Sequence, residues 1–171
     1  TWKSRGLGDV YKRQEWSFIL HSESALAAWG AQLAGILKIG DVIALEGNLG
    51  SGKTTLARAI IRAIYGEATV VPSPTFTLVQ IYEGERLAIW HCDLYRLKGP
   101  EDTFEIGLDE AYGEAVTLIE WPDRLGAALP ARALHVRLEN DDVEVENARR
   151  IFINAGDTWR QRLEEVRCDD A

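Results

Sequence analysis

The chain has 171 residues, 46% of them hydrophobic, which is enough for one domain with a buried core and too few for two ordinary domains. Its formal net charge of −8 excludes a broad basic face that would hold RNA or DNA unaided. The two cysteines, Cys92 and Cys168, lack the close spacing of a zinc site and predict no disulfide framework. No apolar run reaches the length of a membrane span. We therefore expect a cytoplasmic protein with no membrane association.

The first fourteen residues differ in character from the rest of the chain. Residues 5–14 resemble a translated sequencing-adapter fragment that recurs at the ends of metagenomic reading frames, and the chain contains no Met. We therefore predict that residues 1–14 are a non-native extension and that residues 15–171 form a single P-loop ATPase domain.

The elements before residue 66 alternate between strand and helix patterns. Residues 16–20 predict a short strand, and Ser22 or Ser24 would cap a helix whose apolar residues recur at helical spacing through Leu37. Residues 42–45 form an apolar run of the buried-strand type. Residues 55–65 return to helical spacing, and a glycine follows them.

A glycine-rich segment joins that second strand to the second helix. Its sequence, GNLGSGKT at residues 47–54, fits the phosphate-loop pattern G-x-x-x-x-G-K-[ST] at every fixed position. The glycines let successive N–H groups turn toward phosphate oxygens, while Lys53 supplies a positive charge and Thr54 a hydroxyl for Mg²⁺. The helix N-terminus adds partial positive charge. The segment predicts a nucleoside triphosphate site, without deciding between ATP and GTP.

The second half of the chain predicts a mixed sheet. Residues 75–82 and 87–93 flank a short turn and favour a β-hairpin, after an extended connector at residues 70–74. Further strands are expected at residues 115–120, 133–138 and 150–153, with an acidic, partly helical segment at residues 100–112 and a closing helix from residue 157 to 166 capped by Asp157. The predicted fold is α/β: a three-layer P-loop NTPase fold whose sheet combines parallel strands with an antiparallel hairpin and is flanked by helices.

Two carboxylates follow apolar strands and are candidates for the metal. Asp93 ends the run from residue 87, and Glu120 ends the run from residue 115. Ligand sites in α/β folds lie at the carboxyl ends of strands, and Mg²⁺ prefers oxygen ligands. From the residues alone, either carboxylate could face the cation, directly or through water.

Four segments together resemble the TsaE (YjeE) family of bacterial ATPases: GNLGSGKTT at residues 47–55, SPTFTLV at 73–79, HCDLYRL at 91–97 and IEWP at 119–122. Their order and spacing match as well, and the resemblance covers nearly the whole chain from Glu15 onward. It implies a weak, partner-dependent ATPase that works with TsaD and TsaB in making N6-threonylcarbamoyladenosine at position 37 of tRNAs. The protein would then meet tRNA only through that complex.

The same resemblance implies roles for individual residues. It makes Thr54 and Glu120 the Mg²⁺ ligands and places Lys53 on the ATP phosphates. Asp93 becomes a second acidic group for hydrolysis, and Thr75 lies on a segment that resembles a nucleotide-sensing switch. The remaining nucleotide contacts fall on the loop and the start of its helix: Asn48, Leu49, Gly50, Ser51, Gly52 and Thr55.

Other side chains of these motifs have less specific interpretations. Strand alternation places His91 on the same face as Asp93, and we favour a structural hydrogen bond for it over general-base catalysis. Trp121 is expected on the opposite face from Glu120, as a packed core indole, unless the chain turns at Pro122; the alternative is a Trp that responds to nucleotide or contacts a partner. Arg96 could reach a phosphate or a partner carboxylate.

Two further functions stay open. A P-loop kinase for a small molecule or nucleoside would use the same loop, but it needs a basic lid, and residues 100–114 are acidic. A nucleotide-gated binding module would bind ATP with negligible hydrolysis. Phosphate release with and without partners separates the three.

Overall fold

The computed structural model describes residues 5–7, 13–141 and 145–166. Cys168 and most of residues 1–14 therefore lie outside the described residues. Within the described part there are eight strands: β1 (Arg5–Leu7), β2 (Arg13–Leu20), β3 (Val42–Glu46), β4 (Val79–Tyr82), β5 (Ile89–Asp93), β6 (Val116–Glu120), β7 (Leu134–Asn140) and β8 (Arg149–Ala155).

The described helices comprise four α-helices and two 3₁₀ helices. The longest have 13 residues, and no helix in the described ranges is long and apolar enough to cross a membrane. In chain order they are α1 (Glu23–Gly35), α2 (Lys53–Tyr65), a 3₁₀ helix at Pro100–Ile106, α3 (Leu108–Glu114), a 3₁₀ helix at Pro122–Ala128 and α4 (Asp157–Leu163).

All eight described strands form one mixed sheet in the order β1-β2-β8-β7-β3-β6-β5-β4. The central strand β3 pairs in parallel with both β6 and β7, and β6 pairs in parallel with β5. The remaining pairs, β4 with β5 and the series β7, β8, β2 and β1, are antiparallel. The sheet confirms the predicted mixture of parallel strands and an antiparallel hairpin.

Helices cover both faces of the sheet, which confirms the predicted three-layer α/β fold. On one face, α1, α2 and α4 pack their buried side chains, Trp29, Leu56 and Trp159 among them, against alternate residues of the strands. On the other face, a smaller cluster joins Leu108 of α3 and Leu125 of the second 3₁₀ helix to the sheet. Because β3 is buried on both faces, the apolar run at residues 42–45 has no polar alternation.

Two local predictions were wrong. The first strand of the hairpin begins at Val79 rather than residue 75, because a turn in which the Leu78 N–H bonds to the Pro74 carbonyl at 2.8 Å ends the extended segment. The final α-helix is capped by the backbone of Gly156, without a side-chain hydrogen bond, and Asp157 is its first residue. A carboxylate in the first turn still complements the helix dipole.

Part of the N-terminal segment takes part in the sheet. Strand β1 pairs with residues 13–15, and Arg13 and Gln14 continue β2. The Arg13 guanidinium donates to the carbonyls of Ala131, Ala133 and Asn154 and to the Asn154 side chain. That residues 1–14 are a non-native extension stays a prediction.

Candidate functional site

The predicted phosphate loop lies between the end of β3 and the start of α2. Gly47 has φ 144°, and a Cβ there would lie 2.5 Å from the Leu138 carbonyl oxygen. Gly52, with φ 107°, is the N-cap of α2. Both conformations favour glycine, since a side chain would be strained or would clash. The first turn of α2 therefore presents N–H groups that have no intrahelical acceptor, which is the arrangement that binds anions.

Lys53 is the first residue of α2, and its side chain turns back over the loop. Its ammonium donates to the carbonyls of Gly47 at 2.6 Å and Asn48 at 2.9 Å. The residue is only 5% exposed. Burial lowers the pKa of the Lys53 ammonium, and the nearby carboxylates of Glu120 and Asp93 partly oppose that effect. An anionic group in the loop would add a favourable charge partner to this buried cation.

The other predicted nucleotide contacts surround Lys53. Asn48, Leu49 and Gly50 are exposed at the tip of the loop, and Thr54 and Thr55 lie half-buried in the first turn of α2. Ser51 is buried, and its hydroxyl has no hydrogen-bond partner among the described residues. A loop with exposed backbone and a buried unpaired hydroxyl fits a phosphate ligand, because a phosphate oxygen would accept from both.

Thr54 and Glu120 meet at the start of α2. The Thr54 hydroxyl donates to Oε1 of Glu120 at 2.9 Å, although 66 residues separate the two in the chain. Glu120 ends β6, which is the neighbour of β3, so the sheet places its carboxylate directly beside the loop. The two residues that the resemblance implies as Mg²⁺ ligands are therefore in contact.

Asp93 and Thr75 form a second pair at the same edge of the sheet. Asp93 stands opposite Glu120 in the parallel register of β5 and β6. Its Oδ2 accepts from the Thr75 hydroxyl at 3.2 Å, and its Oδ1 accepts from the Tyr95 N–H at 3.0 Å. Thr75 itself lies in the turn before β4, not within a strand. The carboxylate thus holds the candidate switch segment beside the site.

His91 makes a structural hydrogen bond, the role that we favoured over general-base catalysis. Its Nε2 lies 2.7 Å from Oε2 of Glu120, and both side chains are almost fully buried. Cys92, between His91 and Asp93, points into the core cluster on the opposite face. Burial raises the pKa of the Cys92 thiol, so it is a packing residue rather than a nucleophile.

Trp121 does not occupy the fully packed position that we favoured. The chain turns at this residue, with φ 58°, one residue earlier than the proline where a turn was considered. The half-buried indole therefore returns to the site, where its ring centroid lies 4.6 Å from Lys53 Nζ and 5.0 Å from the Tyr95 ring. The ring also packs against the core cluster on the face opposite to Glu120, which is the face that alternation predicted, but it is only half-buried there.

We predict that nucleotide binding changes the fluorescence of Trp121. A phosphate in the loop would draw the ammonium of Lys53 away from the indole and weaken their cation–π contact. In a titration with ATP, Trp121→Phe should lose most of the emission change, whereas Trp90→Phe, which alters a strand Trp, should retain it. If Trp121→Phe kept the full change in fluorescence on ATP binding, the contact between Lys53 and Trp121 would not be its source.

Arg96 holds the segment that carries Thr75. Its guanidinium donates to the carbonyls of Thr75 at 2.7 Å and Phe76 at 2.5 Å and lies 5.5 Å from the Phe76 ring centroid. Within the described part of the chain, Arg96 forms no hydrogen bond or ion pair with a carboxylate or with the phosphate loop. The two contacts that the sequence considered for it stay predictions.

Removing Arg96 should loosen the turn at residues 74–78. Two backbone carbonyls would lose their donor, at about 1 kcal/mol for each hydrogen bond, so local opening should become roughly tenfold more frequent or more. Hydrogen exchange of the Leu78 amide measures this opening. Arg96→Ala should speed that exchange, and Arg86→Ala, in the exposed turn of the hairpin, should leave it unchanged. Equal exchange in both variants would show that Arg96 does not hold the turn.

Arg149 is a site residue that the sequence analysis missed. From the start of β8, its Nε donates to the Ser51 carbonyl at 2.8 Å and so braces the loop from the side of the sheet. No motif marks it, since the contact depends on β8 lying next to β7 and on a sequence separation of 98 residues.

The donor set suits Mg²⁺ held together with phosphate. The described residues contain no group of three or more His, Cys, Asp or Glu side chains that could hold a metal by themselves. One carboxylate and one hydroxyl, Glu120 and Thr54, nevertheless meet at the loop. Mg²⁺ is commonly held by one or two carboxylates plus substrate phosphates, so this set fits the ion when a nucleotide is present.

A phosphate loop between a central parallel strand and a helix, with carboxylates at the ends of the two next strands, defines a P-loop protein. The family model described as "Threonylcarbamoyl adenosine biosynthesis protein TsaE" matches residues 20–151. The chain therefore belongs to the TsaE family, whose members are proteins of tRNA threonylcarbamoyladenosine biosynthesis.

Relatives and a solved structure agree with this assignment. The tRNA threonylcarbamoyladenosine biosynthesis protein TsaE of Rickettsia bellii is 42% identical over 131 residues, which cover 75% of this chain and 91% of that protein. The protein of the same name from Bacillus subtilis is 32% identical over 160 residues, with coverage of 91% and 94%. The crystal structure of YdiB from Bacillus subtilis matches with a TM-score of 0.71 and 28% identity, over 92% of this chain and 96% of that one.

Proposed function

We propose that this protein is a Mg²⁺-dependent ATPase subunit that acts with TsaD and TsaB in the threonylcarbamoylation of adenosine 37 in tRNA. ATP and Mg²⁺ are its cofactors, the cytoplasm is its compartment, and the complex rather than this chain contacts the tRNA. The observation that carries the proposal is the partly buried contact between the Thr54 hydroxyl and the Glu120 carboxylate, at the N-terminus of a helix that follows a phosphate loop.

The proposal assigns a role in binding or hydrolysis to each residue near that contact. The loop backbone and the ammonium of Lys53 bind phosphate oxygens, since both present donors and Lys53 is buried. Thr54 and Glu120 hold Mg²⁺, which neutralises charge on the transferring phosphoryl group when it is bound. Asp93 accepts a hydrogen bond from the attacking water and orients it, a role supported by its position opposite Glu120 on the adjacent strand.

Thr75 provides a route from the site to a partner. Its hydroxyl donates to Asp93, and its carbonyl is held by Arg96. A phosphate that competes for the hydroxyl would shift the turn, and with it the exposed ring of Phe76, which is 82% accessible. Binding and hydrolysis would thereby drive or reset the complex, without any transfer of the carbamoyl group by this chain.

Phosphate release from ATP tests the proposal. The protein is assayed alone and with purified TsaB, TsaD and tRNA, beside Lys53→Ala and Glu120→Ala. We expect slow release alone, faster release with all partners, and loss of both in the two variants. Phosphate transfer to a nucleoside without partners would establish a kinase instead, and tight ATP binding with no release under any condition would establish a nucleotide-gated binding module.

A further inference from the structure

His91 is buried directly behind the proposed metal ligand. It is 0% exposed, on β5, and shares a strand face with Asp93 two residues later. The two oxygens of Glu120 are divided between two partners: Oε1 accepts from Thr54, and Oε2 lies 2.7 Å from His91 Nε2. The orientation of the carboxylate is therefore set from both sides.

The hydrogen bond fixes where the imidazole carries its proton. A carboxylate offers only acceptors, so Nε2 must be the donor. The other ring nitrogen, Nδ1, is buried and has no hydrogen-bond partner within the described ranges. A proton on Nε2 therefore satisfies the buried Oε2 of Glu120. Among the described residues, Glu120 is therefore the hydrogen-bond partner of the His91 side chain.

We propose that His91 is a positioning residue for Mg²⁺ binding: it holds Glu120 so that Oε1 stays beside Thr54 at the phosphate loop. This inference rests on the proposed function. Without the Nε2–H donor, Oε2 would be a buried charged oxygen with no partner, and the carboxylate would turn to find one. Hydrogen bonds behind a metal ligand typically account for about 10- to 100-fold in metal affinity.

A second His–Glu pair in the same sheet provides a matched comparison. His135 Nδ1 lies 2.8 Å from Glu46 Oε1, but these side chains are 29% and 38% exposed. Water can replace a hydrogen bond that is lost there. Substitution of His135 should consequently leave metal binding unchanged, although the pair has nearly the same length.

The test compares two amides at position 91. Gln places its amide nitrogen near the position of His Nε2, whereas Asn places it near that of Nδ1. Mn²⁺ is titrated into the protein saturated with a non-hydrolysable ATP analogue, and free Mn²⁺ is counted by electron paramagnetic resonance. We expect His91→Asn to weaken Mn²⁺ binding about tenfold or more, and His91→Gln to restore most of it. His135→Asn is the control, and affinity for the analogue without metal should be the same in all variants.

Three results would overturn the inference. Mn²⁺ binding by His91→Asn at the wild-type affinity would show that the imidazole does not position Glu120. Equal weakening in His91→Asn and His91→Gln, with equally lowered melting temperatures, would assign His91 a packing role. If the wild-type protein with analogue bound no Mn²⁺ at all, the proposed function would fail and this inference with it. The first two results leave the proposed function intact.

Discussion

Replacement of Lys53 by Met should strongly weaken the binding of ATP. The ammonium is buried over the loop, and Met keeps the unbranched stem while removing the charge. A charge-assisted hydrogen bond to phosphate is worth about 2 kcal/mol, so the dissociation constant for ATP should rise about 30-fold or more. Isothermal titration with ATP and Mg²⁺ measures it directly.

The control for this variant is Lys38→Met. Lys38 is exposed in the turn before β3, where its backbone N–H rather than its side chain bonds to Asp41. Its replacement should leave ATP affinity unchanged. Equal affinity in Lys53→Met and wild type would mean that the nucleotide does not occupy the loop.

Replacement of Glu120 by Gln should remove hydrolysis while leaving the fold intact. Gln keeps the shape and the acceptor for Thr54 but loses the negative charge that a metal requires. A metal ion supplies several kcal/mol of transition-state stabilisation, which corresponds to a loss of roughly 100-fold or more in kcat. Steady-state phosphate release with all partners present gives this number.

Glu46→Gln is the matched control for that substitution. Glu46 also ends a central strand and also pairs with a histidine, but it is half-exposed and does not contact Thr54. Its turnover should equal that of the wild type. If Glu120→Gln retained wild-type turnover across all Mg²⁺ concentrations, its carboxylate would not be a metal ligand.

The sequence predicted the site best where the chemistry is local. The phosphate loop depends on consecutive residues, and the steric demands at Gly47 and Gly52 appear in the sequence as glycines. Asp93 and Glu120 were found because parallel strands end at one edge of the sheet, so the end of an apolar run locates a side chain without knowledge of the strand order.

Features that depend on contacts between distant segments of the chain could not be predicted from the sequence. Arg149 braces the loop only because β8 lies beside β7, and no local pattern records that neighbour. The length of β4 was overestimated because β-branched and aromatic residues continue through a turn that tertiary contacts from Arg96 stabilise. The sequence left two alternatives for Trp121, and the contact of its ring with Lys53 could not be chosen from them, because no local pattern indicates the left-handed turn at this residue.

A crystal structure of the protein with Mg²⁺ and a non-hydrolysable ATP analogue tests the central claim most directly. We expect phosphates cradled by residues 47–54, Lys53 Nζ within hydrogen-bond distance of a phosphate oxygen, and Mg²⁺ between Thr54 and Glu120. Phosphates bound elsewhere, or a metal that approaches neither Thr54 nor Glu120, would contradict it.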